Sequence, residues 1–198
     1  VGAQKKGHPF GIHRVVEPKG VLPQQAQRID ASLPIYDNEI LITVDALNID
    51  SASFRQMSEA CGGTEQGVAS LVEKTVTTRG KQHNPVTGSG GMLLGTVAQV
   101  GNNYRGDLQV KPGDRIATLV SLSLTPLSIT SISSVDMARE RVNMIGHAIL
   151  FESGIAASIP SDLSEDLTLS VLDVAGAPAG VARLARAGQT VIILGGAG

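Results

Sequence analysis

Between residues 38 and 151 the chain repeats one pattern: a short aliphatic, β-branched run, then a break made of glycine or proline. The clearest run covers residues 38–48. Ile40, Ile42, Val44 and Ala46 face one way, and Thr43 and Asp45 face the other. A period of two with one apolar face is that of a half-buried antiparallel strand. Residues 92–100 are almost continuously apolar, with Gly95 inside the run, which marks a bulge or a close backbone approach. Short strands are expected on both sides of the Pro112-Gly113-Asp114 turn, and further ones at 127–132, 141–145 and 147–151. A smaller strand at 12–16 precedes the turn Pro18-Lys19-Gly20. Many short strands joined by Gly and Pro turns predict a small β-barrel or sandwich. Aromatic residues make up 3% of the chain and tryptophan is absent, so the core must be built from Val, Ile, Leu and Ala.

Helices interrupt this pattern twice. Residues 51–60 read as a short helix with Ser51 or Ser53 as N-cap. Residues 64–79 place Val68, Leu71, Val72, Thr75 and Val76 at helical spacing, with Thr64 as cap and Gly80 as stop. The loop 84–91 is dense in breakers and leads into the apolar strand at 92–100. After Pro160 the texture changes. Ser161-Asp-Leu-Ser-Glu-Asp166 supplies caps and acidic first-turn residues for a helix running to about Val174. A second helix starts at Ala177-Pro178 and runs to Gly188, because proline is tolerated at the first helical position. The run Thr190-Val-Ile-Ile-Leu194 then reads as a buried strand that breaks into Gly195-Gly196-Ala197-Gly198. Such a turn can open a G-x-G-x-x-G loop, whose helix N-terminus holds a dinucleotide pyrophosphate. The expected organisation is a mainly β domain over residues 1–160 and the start of a second, α/β domain over 161–198.

The formal charge of -2 gives no basic field for nucleic acid. No apolar run approaches the roughly 18 residues of a membrane span, and residues 1–6 carry no apolar stretch behind their lysines, unlike a signal peptide. Cys61 is the single cysteine, which excludes an internal disulfide and a multi-cysteine zinc site. These features predict a cytoplasmic protein with no nucleic-acid or membrane partner.

Four stretches, in order and at suitable spacing, resemble the medium-chain dehydrogenase/reductase superfamily. They are Asn38-Glu-Ile-Leu-Ile-Thr-Val-Asp-Ala-Leu-Asn-Ile49, Leu94-Gly-Thr-Val-Ala-Gln-Val-Gly101, Val110-Lys-Pro-Gly-Asp-Arg-Ile116, and residues 187–198 ending in the glycine turn. Residues 10–23, 47–54, 84–93, 117–126, 148–154 and 172–178 are similar, within it, to the family of 3,5-diaminohexanoate dehydrogenases. The resemblance implies a GroES-like β-barrel catalytic domain followed by the truncated start of a Rossmann domain. It implies NAD(P)-dependent oxidative deamination of 3,5-diaminohexanoate to 5-amino-3-oxohexanoate and ammonia, and a homodimer in the full-length enzyme. Gly195, Gly196, Ala197 and Gly198 would then bind NAD or NADP.

Zinc-dependent members of the superfamily carry a histidine ligand where this chain has Gly91, and a cysteine ligand where it has Asp50. Asp50 alone cannot hold a metal, since catalytic zinc takes three protein ligands. The expected chemistry is metal-free and needs a base and a placed charge field. The implied substrate carries two ammonium groups and a carboxylate, so the pocket wants carboxylates and an arginine fork. Asp50 is the candidate base, and it can equally cap the helix that follows. Glu152, inside an apolar stretch, is the second catalytic candidate. Arg14, His13, Ser51, Ser121, Thr125 and Asp173 are candidate substrate contacts, each with a structural alternative: surface charge, a bonded core histidine, or a plain turn. Two other readings remain open, a zinc-free quinone or enoyl reductase of the same superfamily and a non-catalytic GroES-like binding module.

Overall fold

The computed structural model describes residues 5–173 and 176–192. Residues through Ser158 form one compact unit and those from Ile159 onward a second.

The first unit is a mixed fold dominated by β structure. A 3₁₀ turn over Ile12–Arg14 leads into β1 (Val15–Glu17), which pairs with β2 (Arg28–Ile29) in a two-stranded sheet. The strand expected at 12–16 therefore begins three residues late, because Gly11 in a left-handed conformation starts a tight turn there. The main sheet contains β3 (Ile40–Asn48), β4 (Met92–Val100), β5 (Arg115–Thr118), β6 (Leu127–Asp136), β7 (Arg141–Leu150) and β8 (Ala156–Ser158). All pairings are antiparallel, in the order β6-β7-β3-β4-β5-β8.

β3 is the centre of this sheet, and its alternation is the one expected: Ile40, Ile42, Val44 and Ala46 are buried and Thr43 is exposed. Gly95 on β4 lies opposite Val44, beside a register shift. A Cβ at Gly95 would stand 2.4 Å from the carbonyl oxygen of Thr43, so only glycine permits the two strands to approach there. Gly146 does not split the next segment. β7 runs unbroken through it, paired on both sides with β3 and β6. Residues 108–110 form no strand.

Between β3 and β4 come α1 (Ser51–Ala60) and α2 (Glu65–Arg79). Val68, Val72 and Val76 recur every four residues on α2 and are buried with Phe54 and Met57 of α1. They share one core with Ile42, Val44, Leu47, Leu93, Ile116, Leu127 and Val142. Burying each such aliphatic side chain stabilises by roughly 1.5–3 kcal/mol, which is how a core almost free of aromatic rings holds the sheet and helices together. Thr64 caps α2 through its hydroxyl, and Gly80 ends it.

The second unit holds α3 (Glu165–Asp173) and α4 (Gly176–Leu184). Thr190–Ile192 are not in a strand, and the rest of the expected strand and glycine turn lies outside the described residues. No helix among the described residues is long and apolar enough to cross a membrane.

Candidate functional site

At its C-terminal end β3 delivers Asp50 to the first turn of α1. Asp50 is the N-cap: its backbone is extended and its Oδ1 accepts the N–H of Ser53 at 3.0 Å. Neither Ser51 nor Ser53 caps the helix, because the chain turns helical at Ser51, one residue earlier than the first assignment requires and three earlier than the second. The other carboxylate oxygen of Asp50, Oδ2, is shielded from solvent and has no hydrogen-bond partner among the described residues. An unpaired buried carboxylate oxygen is costly, and a cationic donor is the group that would satisfy it best.

The walls around Asp50 come from two loops. Ser53 is fully buried, and its hydroxyl lies 2.6 Å from that of Thr87. Thr87 belongs to the loop 84–91, which Asn84 organises. The Asn84 side chain accepts the N–H of Val86 and donates to Gln56 of α1, while its backbone exchanges bonds with Gly88 and Ser89. Gly91 ends the loop with φ +83°, and a Cβ there would stand 2.1 Å from the carbonyl oxygen of Asn48. Only glycine allows the loop to close against the end of β3 in this way. The Gly91 carbonyl in turn accepts from Leu122, which brings the 3₁₀ turn Leu122–Leu124 alongside.

Of the two hydroxyls proposed on that turn, only Ser121 keeps some exposure, with its Oγ 2.8 Å from that of Ser123. Thr125 is corrected. It is 1% exposed and donates its hydroxyl to the Ser121 carbonyl, so it holds the turn together and faces no ligand.

The β6–β7 hairpin closes the same end. Glu140 accepts the N–H of Ile49 with its carbonyl and the hydroxyl of Ser51 with its carboxylate Oε2, bracketing Asp50 on both sides. Arg141 opens β7 directly across from Asn48. Neither Glu140 nor Arg141 was singled out from the sequence. The available signal was the charged run Arg139-Glu140-Arg141 between two strands, which reads as an ordinary solvated turn until pairing places it beside Asp50.

The remaining candidates lie elsewhere. Glu152 follows β7, whose end pairs with the start of β3, so about 25–30 Å of extended strand separates it from Asp50. The two carboxylates cannot act on one small molecule. Glu152 accepts instead from the Asn38 side chain at 2.9 Å. Arg14 is corrected as well. It is 2% exposed, bonds both carboxylate oxygens of Glu39, and donates to the carbonyls of Asp30 and Ser32. His13 sits beside it. Its Nδ1 accepts the His8 N–H, so the proton is on Nε2, which donates to Glu39. Burial alone would push the Glu39 carboxyl up. The hydrogen bonds from Arg14 and His13 outweigh it and hold the pKa down to about 2. These residues are a structural knot at the start of β3. Asp173 ends α3, and its side chain lies outside the described residues, as do Gly195, Gly196, Ala197 and Gly198.

Among the described residues no three His, Cys, Asp or Glu side chains converge as a metal site would require. On the loop beside Asp50, Gly91 stands where any side chain would collide with Asn48.

A family model described as the L-erythro-3,5-diaminohexanoate dehydrogenase N-terminal domain matches residues 13–160. Curated proteins named L-erythro-3,5-diaminohexanoate dehydrogenase are similar over nearly the whole chain. The one from Acetoanaerobium sticklandii is 54% identical over 193 residues, and the one from Fusobacterium nucleatum subsp. nucleatum is 55% identical over 194. Each alignment covers 98% of this chain and 56% of the relative, so the chain spans about half the length of the curated relatives it matches. Among solved structures, the crystal structure of CurK enoyl reductase aligns at 18% identity with a TM-score of 0.34, over 81% of this chain and 36% of that one, a likeness too slight to bear on the fold.

Proposed function

The chain belongs to the L-erythro-3,5-diaminohexanoate dehydrogenase N-terminal domain family, and from that membership we propose that it is the substrate-side part of an NAD(P)-dependent dehydrogenase. The enzyme oxidatively deaminates L-erythro-3,5-diaminohexanoate to 5-amino-3-oxohexanoate and ammonia. Within this reading, residues 1–160 are a GroES-like catalytic domain of the medium-chain dehydrogenase/reductase superfamily. Residues 161–198 begin its Rossmann domain, with Gly195–Gly198 as the first cofactor turn, and the full-length enzyme is a cytoplasmic homodimer.

The observation that carries the chemistry is the unpaired Oδ2 of Asp50. An ammonium has no lone pair to expel a hydride, so the C3 ammonium must first lose a proton. Asp50 accepts it at Oδ2, while its Oδ1 stays bonded to the Ser53 N–H and fixes the carboxylate in place. The nicotinamide, NAD or NADP, supplies the hydride acceptor when bound. With hydride gone from C3 the substrate is an iminium, water adds to that carbon and its two protons pass to the nitrogen, which departs with the C–N bond pair as ammonium. Asp50 must then pass that proton on to regain its charge. Arg141, at the same end of the sheet, is the cation placed to hold the substrate carboxylate, a role that the buried Arg14 cannot fill. No step requires a metal Lewis acid.

The test is formation of reduced nicotinamide by the full-length enzyme, with 3,5-diaminohexanoate set against quinone and enoyl substrates. Turnover of the diamino acid with release of one ammonia per hydride supports the reading. Turnover of only the quinone or enoyl compound overturns it.

A further inference from the structure

The substrate class proposed above has two ammonium groups, and Asp50 accounts for one. Glu152, the second carboxylate expected from the sequence, is at the wrong end of β3. The structure puts another carboxylate in the right place. Glu140 sits at the tip of the β6–β7 hairpin, where Asp136 begins the turn by accepting the N–H groups of Ala138 and Arg139. Its φ of +57° makes it the one residue other than glycine with a positive φ among the described residues. Side chains with a Cβ adopt that conformation rarely, and glycine or asparagine is the relaxed choice there. A glutamate held in it needs a reason, and its bonds suggest one. The carbonyl takes the N–H of the residue before Asp50, and the carboxylate takes the hydroxyl of the residue after it.

We propose that Glu140 is the second ammonium-binding carboxylate of the site and sets its preference for a 1,3-diamine. This rests on the reading of Asp50 given above. C3 and C5 of the substrate are separated by one methylene, so the two ammonium groups are near neighbours on the chain. Asp50 and Glu140 are likewise neighbours, bridged by Ser51. A carboxylate has about four acceptor positions, so the bond from Ser51 leaves Glu140 able to take an ammonium as well. Ser51 thereby fixes the Glu140 carboxylate beside the first turn of α1, and the backbone bond to Ile49 fixes the hairpin against the end of β3. The reaction leaves the C5 amine untouched, which suits a group that binds a charge and moves no proton. Glu140 is therefore a specificity residue, with Asp50 alone acting on the reacting nitrogen.

The experiment uses the full-length enzyme and two variants. Glu140→Gln keeps an acceptor for Ser51 and removes the charge. Glu140→Gly removes the side chain and relaxes the turn, so it controls for folding. Losing a charge-assisted hydrogen bond should raise KM for 3,5-diaminohexanoate roughly 10- to 100-fold in both variants, with kcat within about twofold. For 3-aminohexanoate, which lacks the C5 amine, kcat/KM should be unchanged. Equal losses on both substrates, or no loss on either, would overturn the proposal. Calorimetric binding of 2,4-diaminopentane to the wild type and to Glu140→Gln gives a readout independent of turnover. Binding weakened about tenfold supports Glu140, and unchanged binding refutes it. A wild type that binds the diamine through Glu140 but never deaminates it would instead overturn the reading of Asp50.

Discussion

The guanidinium of Arg14 meets the carboxylate of Glu39 edge to edge, with both N···O distances at 2.7 Å and both side chains 1% exposed. His13 and the Tyr36 N–H complete the shell around Glu39. The knot ties the segment before β1 to the residue that precedes β3, so the central strand enters the sheet in a fixed position.

Glu39→Gln should destabilise the protein by about 3–5 kcal/mol, because it leaves the Arg14 charge buried and uncompensated. Denaturant unfolding measures this, and a loss below about 1 kcal/mol would show that Arg14 finds another partner or reaches solvent. The same variant should leave KM for the diamino acid near the wild-type value wherever folding persists, since the knot lies at the far end of β3 from Asp50.

Acid should act through the same residue. The Glu39 carboxyl titrates near 2 in the folded protein, below the ordinary value of 4.5. The folded state therefore binds fewer protons than the unfolded state between these values. The stabilisation is complete above about pH 4.5 and is lost as pH falls toward 2. A denaturation midpoint that declines across this window in the wild type, and declines less in Glu39→Gln, is the expected result.

Lys81 predicts a second window, at high pH, in which stability again rises with pH. It is fully buried and donates to the carbonyls of Pro23 and Gln24 at 2.6 and 3.1 Å. Burial, with a smaller contribution from the Arg79 charge, lowers its pKa from 10.5 to about 8. Below about pH 8 folded and unfolded chains both hold the proton. From there to about 10.5 the folded chain releases it first, so this residue makes stability rise with pH. Comparing wild type with Lys81→Met at pH 8 and pH 10 isolates the effect, and equal slopes in the two proteins would refute it.

Asp50→Asn separates a cap from a base. Asparagine caps a helix as well as aspartate does, so stability should move by no more than about 0.5 kcal/mol. Deamination by the full-length enzyme should fall by about 100-fold or more. Thermal denaturation and the rate of nicotinamide reduction, measured on the same sample, check the two halves. An unchanged rate would leave Asp50 with its capping role alone.

Much of the first unit was legible in the sequence because its signals are local. The period of two over residues 38–48 needs only its own neighbours, and so does the four-residue spacing of Val68, Val72 and Val76. Gly95 also announced itself, since a backbone approach that excludes a Cβ leaves a glycine behind. The local signals misled where a break was read as an end. Gly146 is crossed by β7 because pairing on both edges holds the strand straight through it.

The site was less legible, for a physical reason. The place of Asp50, at the end of an apolar strand and the start of a helix, was legible because it is a local feature. Glu152 and Thr125 were chosen for residue type in an apolar or polar setting, and Arg14 for its place in a stretch that carries the family resemblance; neither says which end of a strand a side chain occupies. Antiparallel pairing of β3 with β7 decided that. It carried Glu152 and the Arg14 knot to one end and brought Glu140 and Arg141, 90 and 91 positions downstream of Asp50, to the other. The sequence by itself determined the central strand, the helices that follow it and the acid that joins them. Only the register of the sheet decided which charges share a site, because register is set by contacts between segments that no local stretch of chain contains.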